Sequence, residues 1–251
     1  MGGDPGSETT FDDTHYDKAY PDGVERHYWH RARNAVLASA LEREGLRGAP
    51  LLEIGCGRGL VTEALRSAGF DCRGVELARA PVPARLASIV RTGTAFQDLP
   101  RAERDDVRGV LLLDVLEHVD DPVAFLEQIA ASFPRLDRLL LTVPARQELW
   151  SRWDEFYGHR CRYDRRAVRR ELEAAGWTLR SSRYFFHGLY PFALALKASG
   201  AKRSTDVVAP PESLLHRVVG RWFAAESAVL PAFVPGTSLL AVASPPRRPD
   251  R

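Results

Sequence analysis

The stretch Pro50-Leu51-Leu52-Glu53-Ile54-Gly55-Cys56-Gly57-Arg58-Gly59 constrains the fold more than any other part of the chain. A short apolar run enters three alternating glycines, and a helical pattern of Leu60, Val61, Ala64, Leu65 and Ala68 follows at once, closed by Gly69. Strand, glycine turn and helix predict a backbone that approaches a ligand closely at a helix N-terminus. Glycine serves there because the turn needs positive φ and no Cβ in the way. Glu53, at the end of the strand, would repel a pyrophosphate. The dinucleotide fingerprint is G-x-G-x-x-G, whereas here the third glycine arrives one residue early and position 60 is leucine. Both features disfavour a nicotinamide cofactor and favour a ligand that is neutral or cationic near Glu53.

A second strand is expected over 71–77. It carries Glu76, 17 residues beyond Gly59. An acidic residue at the tip of the second strand is placed to accept hydrogen bonds from ribose hydroxyls. Its tip is expected to face solvent when no ligand is bound. Together with the glycine turn, Glu76 points to a nucleoside-containing ligand.

The bulk properties narrow the class. A chain of 251 residues, 45% hydrophobic and 27% charged, suits one soluble α/β domain with a full core. A net charge of +2 gives no reason to expect a nucleic-acid partner. Cys56, Cys72 and Cys161 share no metal or redox spacing, which suits a reducing cytoplasm. No apolar run reaches the length of about 18 residues that would suggest a membrane span, and no secretory leader is expected.

Taken in order, residues 1–22 read as a disordered leader, residues 23–244 as a single domain and residues 245–251 as a disordered Pro/Arg-rich tail. A helix is predicted over 24–41, with His27-Tyr28-Trp29-His30-Arg31-Ala32-Arg33 at its front. Thr94-Ala95-Phe96 reads as a third strand, 101–106 as a charged loop and 107–113 as the central, doubly buried strand. Asp121-Pro122 opens a helix, with Asp as N-cap and Pro at the first position. Residues 138–143 form a fifth strand, and an aromatic loop follows over 149–163. Asp164 caps another helix, which Gly176 stops.

The sixth strand is expected over 177–185 and the last over 238–243. Between them, residues 186–234 form a helical insertion. Its second helix, over 213–229, is expected to carry Leu214, Leu215, Val218, Val219, Trp222 and Phe223 on one face. This amphipathic pair reads as a lid over an acceptor pocket. The second helix lacks the Lys/Arg-rich polar face that marks a membrane-surface helix.

The Glu53-x-Gly55-x-Gly57-x-Gly59 pattern resembles motif I of the class I S-adenosylmethionine-dependent methyltransferases. Asp114-Val115-Leu116-Glu117-His118 resembles the segment after strand four in a subgroup that acts on quinones and other small molecules. The resemblance implies a Rossmann-like, mostly parallel seven-stranded sheet in the order 3-2-1-4-5-7-6. Strand seven would be antiparallel, with helices on both faces. It implies S-adenosyl-L-methionine as cofactor, with Glu53, Gly55, Cys56, Gly57, Gly59, Glu76, Leu77 and Leu113 around it. Asp98 and Leu99 would meet the adenine. Trp-x-x-x-Arg helices precede motif I in a subgroup of the family, which implies that Arg33 or Arg31 pairs with the cofactor carboxylate.

Methyl transfer needs an aligned nucleophile and, for a hydroxyl, a base. His118 and His159 are the candidates, because imidazole titrates near neutrality. Asp114, Glu117 and His118 resemble a trio that some quinone O-methyltransferases use for a divalent cation, but no metal site is assigned. The expected partner is a small acceptor with an apolar part, methylated on oxygen, nitrogen or carbon. No nucleic acid and no integral membrane association are expected. The sequence leaves open whether the chain is a monomer or a homodimer. The alternative is a non-catalytic, cofactor-binding scaffold of the same fold.

Overall fold

The computed structural model describes residues 21–200 and 213–247. Seven strands form one sheet in the order β3-β2-β1-β4-β5-β7-β6, as the resemblance implied. The central strands β1 (Leu51–Ile54), β2 (Cys72–Glu76), β4 (Gly109–Leu113) and β5 (Arg138–Pro144) pair in parallel. The last strand, β7 (Ser238–Ser244), runs antiparallel to both β5 and β6 (Thr178–Phe185). Val110, Leu111 and Leu112 are fully buried, as expected for a strand covered by helices on both faces. Two large apolar clusters make up most of the core, one on each side of the sheet. Helices α4 (Pro122–Ser132) and α6 (Arg165–Ala174) close one side. Helices α1 (Tyr28–Arg43) and α2 (Leu60–Ser67) close the other.

The local signals act as their chemistry requires. The Asp121 and Asp164 side chains accept from Ala124 N and Ala167 N at the starts of α4 and α6. Gly176 leaves α6 at φ 76°, and Trp177 is buried with its Nε1–H on the Leu126 carbonyl.

Three expectations change. The third strand is β3, Val90–Thr92, not 94–96. Gly93, at φ 65°, donates to the Ala78 carbonyl and turns the chain out of the ladder, so Phe96 enters the core from a 3-10 turn. Residues Arg101–Asp106 are a helix, α3, rather than a loop. It buries no side chain and so leaves no apolar period to read. Its start is held by the Pro100 carbonyl, which accepts from Glu103 N and Arg104 N.

The third change concerns the insertion, which folds as α7 (Leu189–Ala198) and α8 (Leu214–Val229), with α5 (Arg152–Phe156) earlier in the aromatic loop. Helix α8 packs on α1 through Gly220 and Phe223, with Phe223 stacked on Tyr28. The expected single apolar face is split, because Val219 and Phe223 pack inward while Leu214, Leu215, Val218 and Trp222 face outward. The reason is steric. A Cβ at position 220 would lie 3.2 Å from the Tyr28 carbonyl oxygen, so the small residue lets the two helices meet on that side. The leader expected over 1–22 falls outside the described residues except for Pro21 and Asp22, as do residues 248–251 of the tail and 201–212 of the insertion.

Candidate active site

The glycine turn joins β1 to α2 with Gly55 at φ 75°, Gly57 at φ 54° and Gly59 at φ 82°. Gly59 is the N-cap of α2, in the left-handed region that L side chains avoid. A Cβ on Gly55 would fall 2.7 Å from Val115 Cγ2, so the turn also needs glycine to pass the residue after Asp114. The Cys56 side chain turns into the core beside Val90 and Leu86, and burial holds its thiol well above its ordinary range. Cys56 can therefore meet a ligand only through its backbone.

Two carboxylates flank the turn. Glu76 Oε2 accepts from Gly57 N at 2.8 Å, and Oε1 accepts from Ala78 N at 2.9 Å. Glu76 is buried, which corrects the expectation of a solvent-facing strand tip. Each oxygen keeps a lone pair, so the same carboxylate can brace the turn and accept from a ligand hydroxyl. Glu53 is also buried and accepts from Thr62 Oγ1 at 2.5 Å. Burial pushes its carboxyl up to about 7, with Thr62 and the Arg33 charge pulling the other way. A cation bound here would favour the ionised form.

Arg33 comes from α1 and crosses to the end of β4. Its Nη1 donates to Asp114 Oδ2 at 2.6 Å, and its guanidinium lies 4.4 Å from the centre of the Trp29 ring. Its Nε is buried with no hydrogen-bond partner. Arg31 does not join it, because its Nε is held by the Arg26 carbonyl and its Cβ packs under Gly220. Asp114 has φ 58°, one of three positive-φ residues other than glycine among the described residues. Such strain persists only where its surroundings enforce it. Here the Arg33 pair and the Thr142 Oγ1 bond at 3.2 Å do so. The positive-φ turn, the orphaned Arg33 Nε and the two acids together fit an amino-acid-bearing nucleoside.

The other expected cofactor contacts are less distinctive. Leu77 is exposed just beyond β2, and Asp98 is exposed on its 3-10 turn. Leu99 and Leu113 are buried core residues, one in each large apolar cluster.

The aromatic loop is stitched to the segment after β4. Arg160 N donates to the Glu117 carbonyl at 2.8 Å, Arg160 Nε to the His118 carbonyl, and Tyr163 OH to the Leu116 carbonyl. This brings His118 and His159 edge to face, 4.9 Å between ring centres. Glu117 completes the group, with one ligating atom from each residue lying within 4.8 Å of the others. Asp114 is not the third member, since Arg33 and Thr142 hold its carboxylate.

Burial lowers His118 to about 4, assisted by neighbouring His159, so it is neutral near pH 7. Burial, and then the Asp114 charge, raises Glu117 well above the carboxylate range, and neither of its oxygens has a hydrogen-bond partner. His159 differs. Its Nδ1 lies 2.9 Å from Asp154 Oδ1, and Asp154 is fully buried, also binding Arg162 Nε at 2.8 Å and Ser151 N at 2.9 Å.

Asp154 and Arg162 were not singled out from the sequence. The capping-box spacing Ser151-x-x-Asp154 signals the start of α5 but not the second duty of its carboxylate.

A family profile described as a methyltransferase domain matches residues 28–182. The ubiquinone biosynthesis O-methyltransferase of Cereibacter sphaeroides (strain ATCC 17025 / ATH 2.4.3) is 39% identical over 98 residues, 36% of this chain and 38% of that protein. The enzyme of the same name from Hahella chejuensis is 31% identical over 96 residues, 36% of this chain and 40% of that protein. These alignments span about two fifths of each relative. Among solved structures, a Haloferax volcanii methyltransferase in complex with a methyltransferase activator superposes with a TM-score of 0.57 at 20% identity, covering 95% of this chain and 97% of that one. Magnesium protoporphyrin IX methyltransferase from Synechocystis PCC 6803, solved with bound S-adenosylhomocysteine, superposes with a TM-score of 0.51 at 13% identity, covering 94% and 89%.

Proposed function

The chain belongs to the methyltransferase-domain family, and from that premise we propose that it moves the methyl group of S-adenosylmethionine to a hydroxyl of a small molecule. When bound, that cofactor supplies an electrophilic methyl and a sulfide leaving group. The protein contributes position, charge and a base. Glu76 is set to accept from the ribose hydroxyls, Arg33 to pair with the cofactor carboxylate, and Glu53 to balance the cationic amino-acid end. Gly55 to Gly59 let the backbone approach without side-chain interference.

The observation that carries the catalytic reading is the Asp154–His159 pair. A buried carboxylate at Nδ1 fixes the imidazole tautomer and leaves Nε2 as the basic atom. His159 is then the base that takes the acceptor proton, and neutral His118 beside it orients the hydroxyl. The O-methyltransferase names of the two curated relatives support oxygen as the acceptor atom. A non-catalytic scaffold would have no use for a tautomer-locked histidine. The three cysteines are free, in keeping with a cytoplasmic setting.

One observation favours a second reading of the same cluster. The unpartnered Glu117 carboxylate beside two imidazoles offers an oxygen and two nitrogens to a divalent transition metal.

Titration calorimetry with S-adenosylmethionine, followed by mass-spectrometric detection of S-adenosylhomocysteine with catechol-type acceptors, tests the proposal. No binding at about 1 mM, a generous ceiling for such a site, would end it. Turnover that needs added Mn²⁺ and is lost to a chelator would move the reading from base to metal.

A further inference from the structure

We propose that the outward face of α8 is a docking surface for an anionic lipid bilayer, on which the protein lies without crossing. At about 100° per residue, Leu214, Ala225, Val218, Val229, Trp222 and Leu215 fall in sequence around one continuous arc of the helix. They are large or apolar and open. Leu214 and Leu215 are each 67% exposed, Trp222 is 56% and Val229 is 81%. The arc continues onto α7, since a Cβ on Gly188 would fall 2.9 Å from the Trp222 ring, and Phe192 on α7 is itself largely exposed. Exposed apolar surface of this kind marks an interaction site.

Charge selects the occupant. Along one border of the arc stand Arg217 and Arg221, both exposed and without an ion pair among the described residues. No acidic residue of α8 is exposed. Glu226, the helix's one acid, is turned in to accept from His187 N and Gly188 N at the start of α7. An apolar strip carrying tryptophan and bordered by arginines suits the headgroup boundary, where the rings enter and the guanidiniums remain with the phosphates. A second copy fits less well. A two-fold contact would set each arginine border against the same border or against bare apolar surface, with no acid on the face to answer it.

No described helix is long and apolar enough to cross a membrane, which agrees with a helix that lies on the surface. From the sequence, membrane contact is disfavoured because the helix lacks a Lys/Arg-rich polar face, yet Arg217 and Arg221 stand together on one border of the exposed arc. Two cations at the edge of an apolar strip serve a helix whose other side is packed on α1. The inference does not depend on the methyltransferase reading.

Co-sedimentation of the full chain with phosphatidylcholine vesicles, with and without about one third phosphatidylglycerol, tests it. Binding is expected to the anionic vesicles, weaker in high salt. The Arg217→Glu, Arg221→Glu variant should lose at least about tenfold in partition, given roughly 1 kcal/mol per cation near such a surface. Leu215→Asp, Val218→Asp should abolish binding while leaving the thermal midpoint and cofactor affinity in place. The arginine variant keeps the test open should the aspartate variant fold poorly. Absence of binding to anionic vesicles overturns the proposal, and so does binding indifferent to both variants. A concentration-dependent dimer that the aspartates dissolve, in a protein that ignores vesicles, would assign the face to a second copy instead.

Discussion

His159 Nδ1 lies 2.9 Å from an oxygen of the fully buried Asp154 carboxylate, and the same oxygen receives Arg162 Nε at 2.8 Å. The carboxylate is thus held by a cation while it holds the imidazole. Asp154→Asn keeps the shape but can present its amide to Nδ1, which favours the wrong tautomer. Turnover should fall by about 10²–10⁴, the usual contribution of a positioned base. The affinity for S-adenosylmethionine should be unchanged. Single-turnover rates and cofactor titration separate the two, and an unaltered rate would remove His159 from the mechanism.

Glu53 links cofactor binding to pH. Its carboxyl stands at about 7 when folded, against an ordinary 4.5, chiefly because it is buried. The folded state therefore holds this proton more tightly than the unfolded state. The stability it contributes is complete below about 4.5 and is lost as pH rises through about 7. A cationic ligand group needs the ionised form, so affinity moves the opposite way. S-adenosylmethionine should bind more tightly from pH 6 to pH 8, with proton release on binding at the acidic end. Glu53→Gln should flatten both trends. Calorimetry in buffers of different ionisation enthalpy reads the proton count directly.

Glu117→Met should raise stability, with activity kept if His159 is the base and lost if the cluster holds a metal. Burial and the neighbouring Asp114 charge already push the Glu117 carboxyl well above its ordinary range, and both oxygens lack partners. Replacing them with an apolar chain of similar volume removes that cost, worth about 1–3 kcal/mol. Denaturant melts and turnover measured on the same preparation check it. A less stable variant would mean that the carboxylate is satisfied in solution.

Glu76→Ala should cost both affinity and stability. From the sequence, the strand tip that carries this carboxylate is expected to face solvent when no ligand is bound. Instead it accepts from Gly57 N and Ala78 N while buried, so its loss leaves two backbone donors short of a partner. We expect about 1–3 kcal/mol from the melt and 1.5–3 kcal/mol from cofactor binding. A normal melt with weakened binding would restore the solvent-facing picture.

Where the information is local, neighbouring residues alone specify the outcome. Leu51 to Gly59 has one compatible geometry, because an apolar strand must end where three residues need positive φ. The caps at Asp121 and Asp164 and the stop at Gly176 follow from side chains bonding within a turn of their own backbone. The strand order was legible only through family resemblance.

Features that depend on distant partners emerge only once the chain is folded. Arg33 rather than Arg31 reaches Asp114, 81 residues away, since that choice turns on how α1 lies across the sheet. Asp154 carries a capping-box sequence and gives no sign of the imidazole it will hold once the loop closes on residues 117–118. Helix α8 shows the limit most plainly. It is apolar on both its Leu215–Trp222 side and its Phe223 side, so hydrophobic period alone could not say which would face inward. Gly220, by letting the Tyr28 backbone come close, chose the Phe223 side and left the other open to solvent.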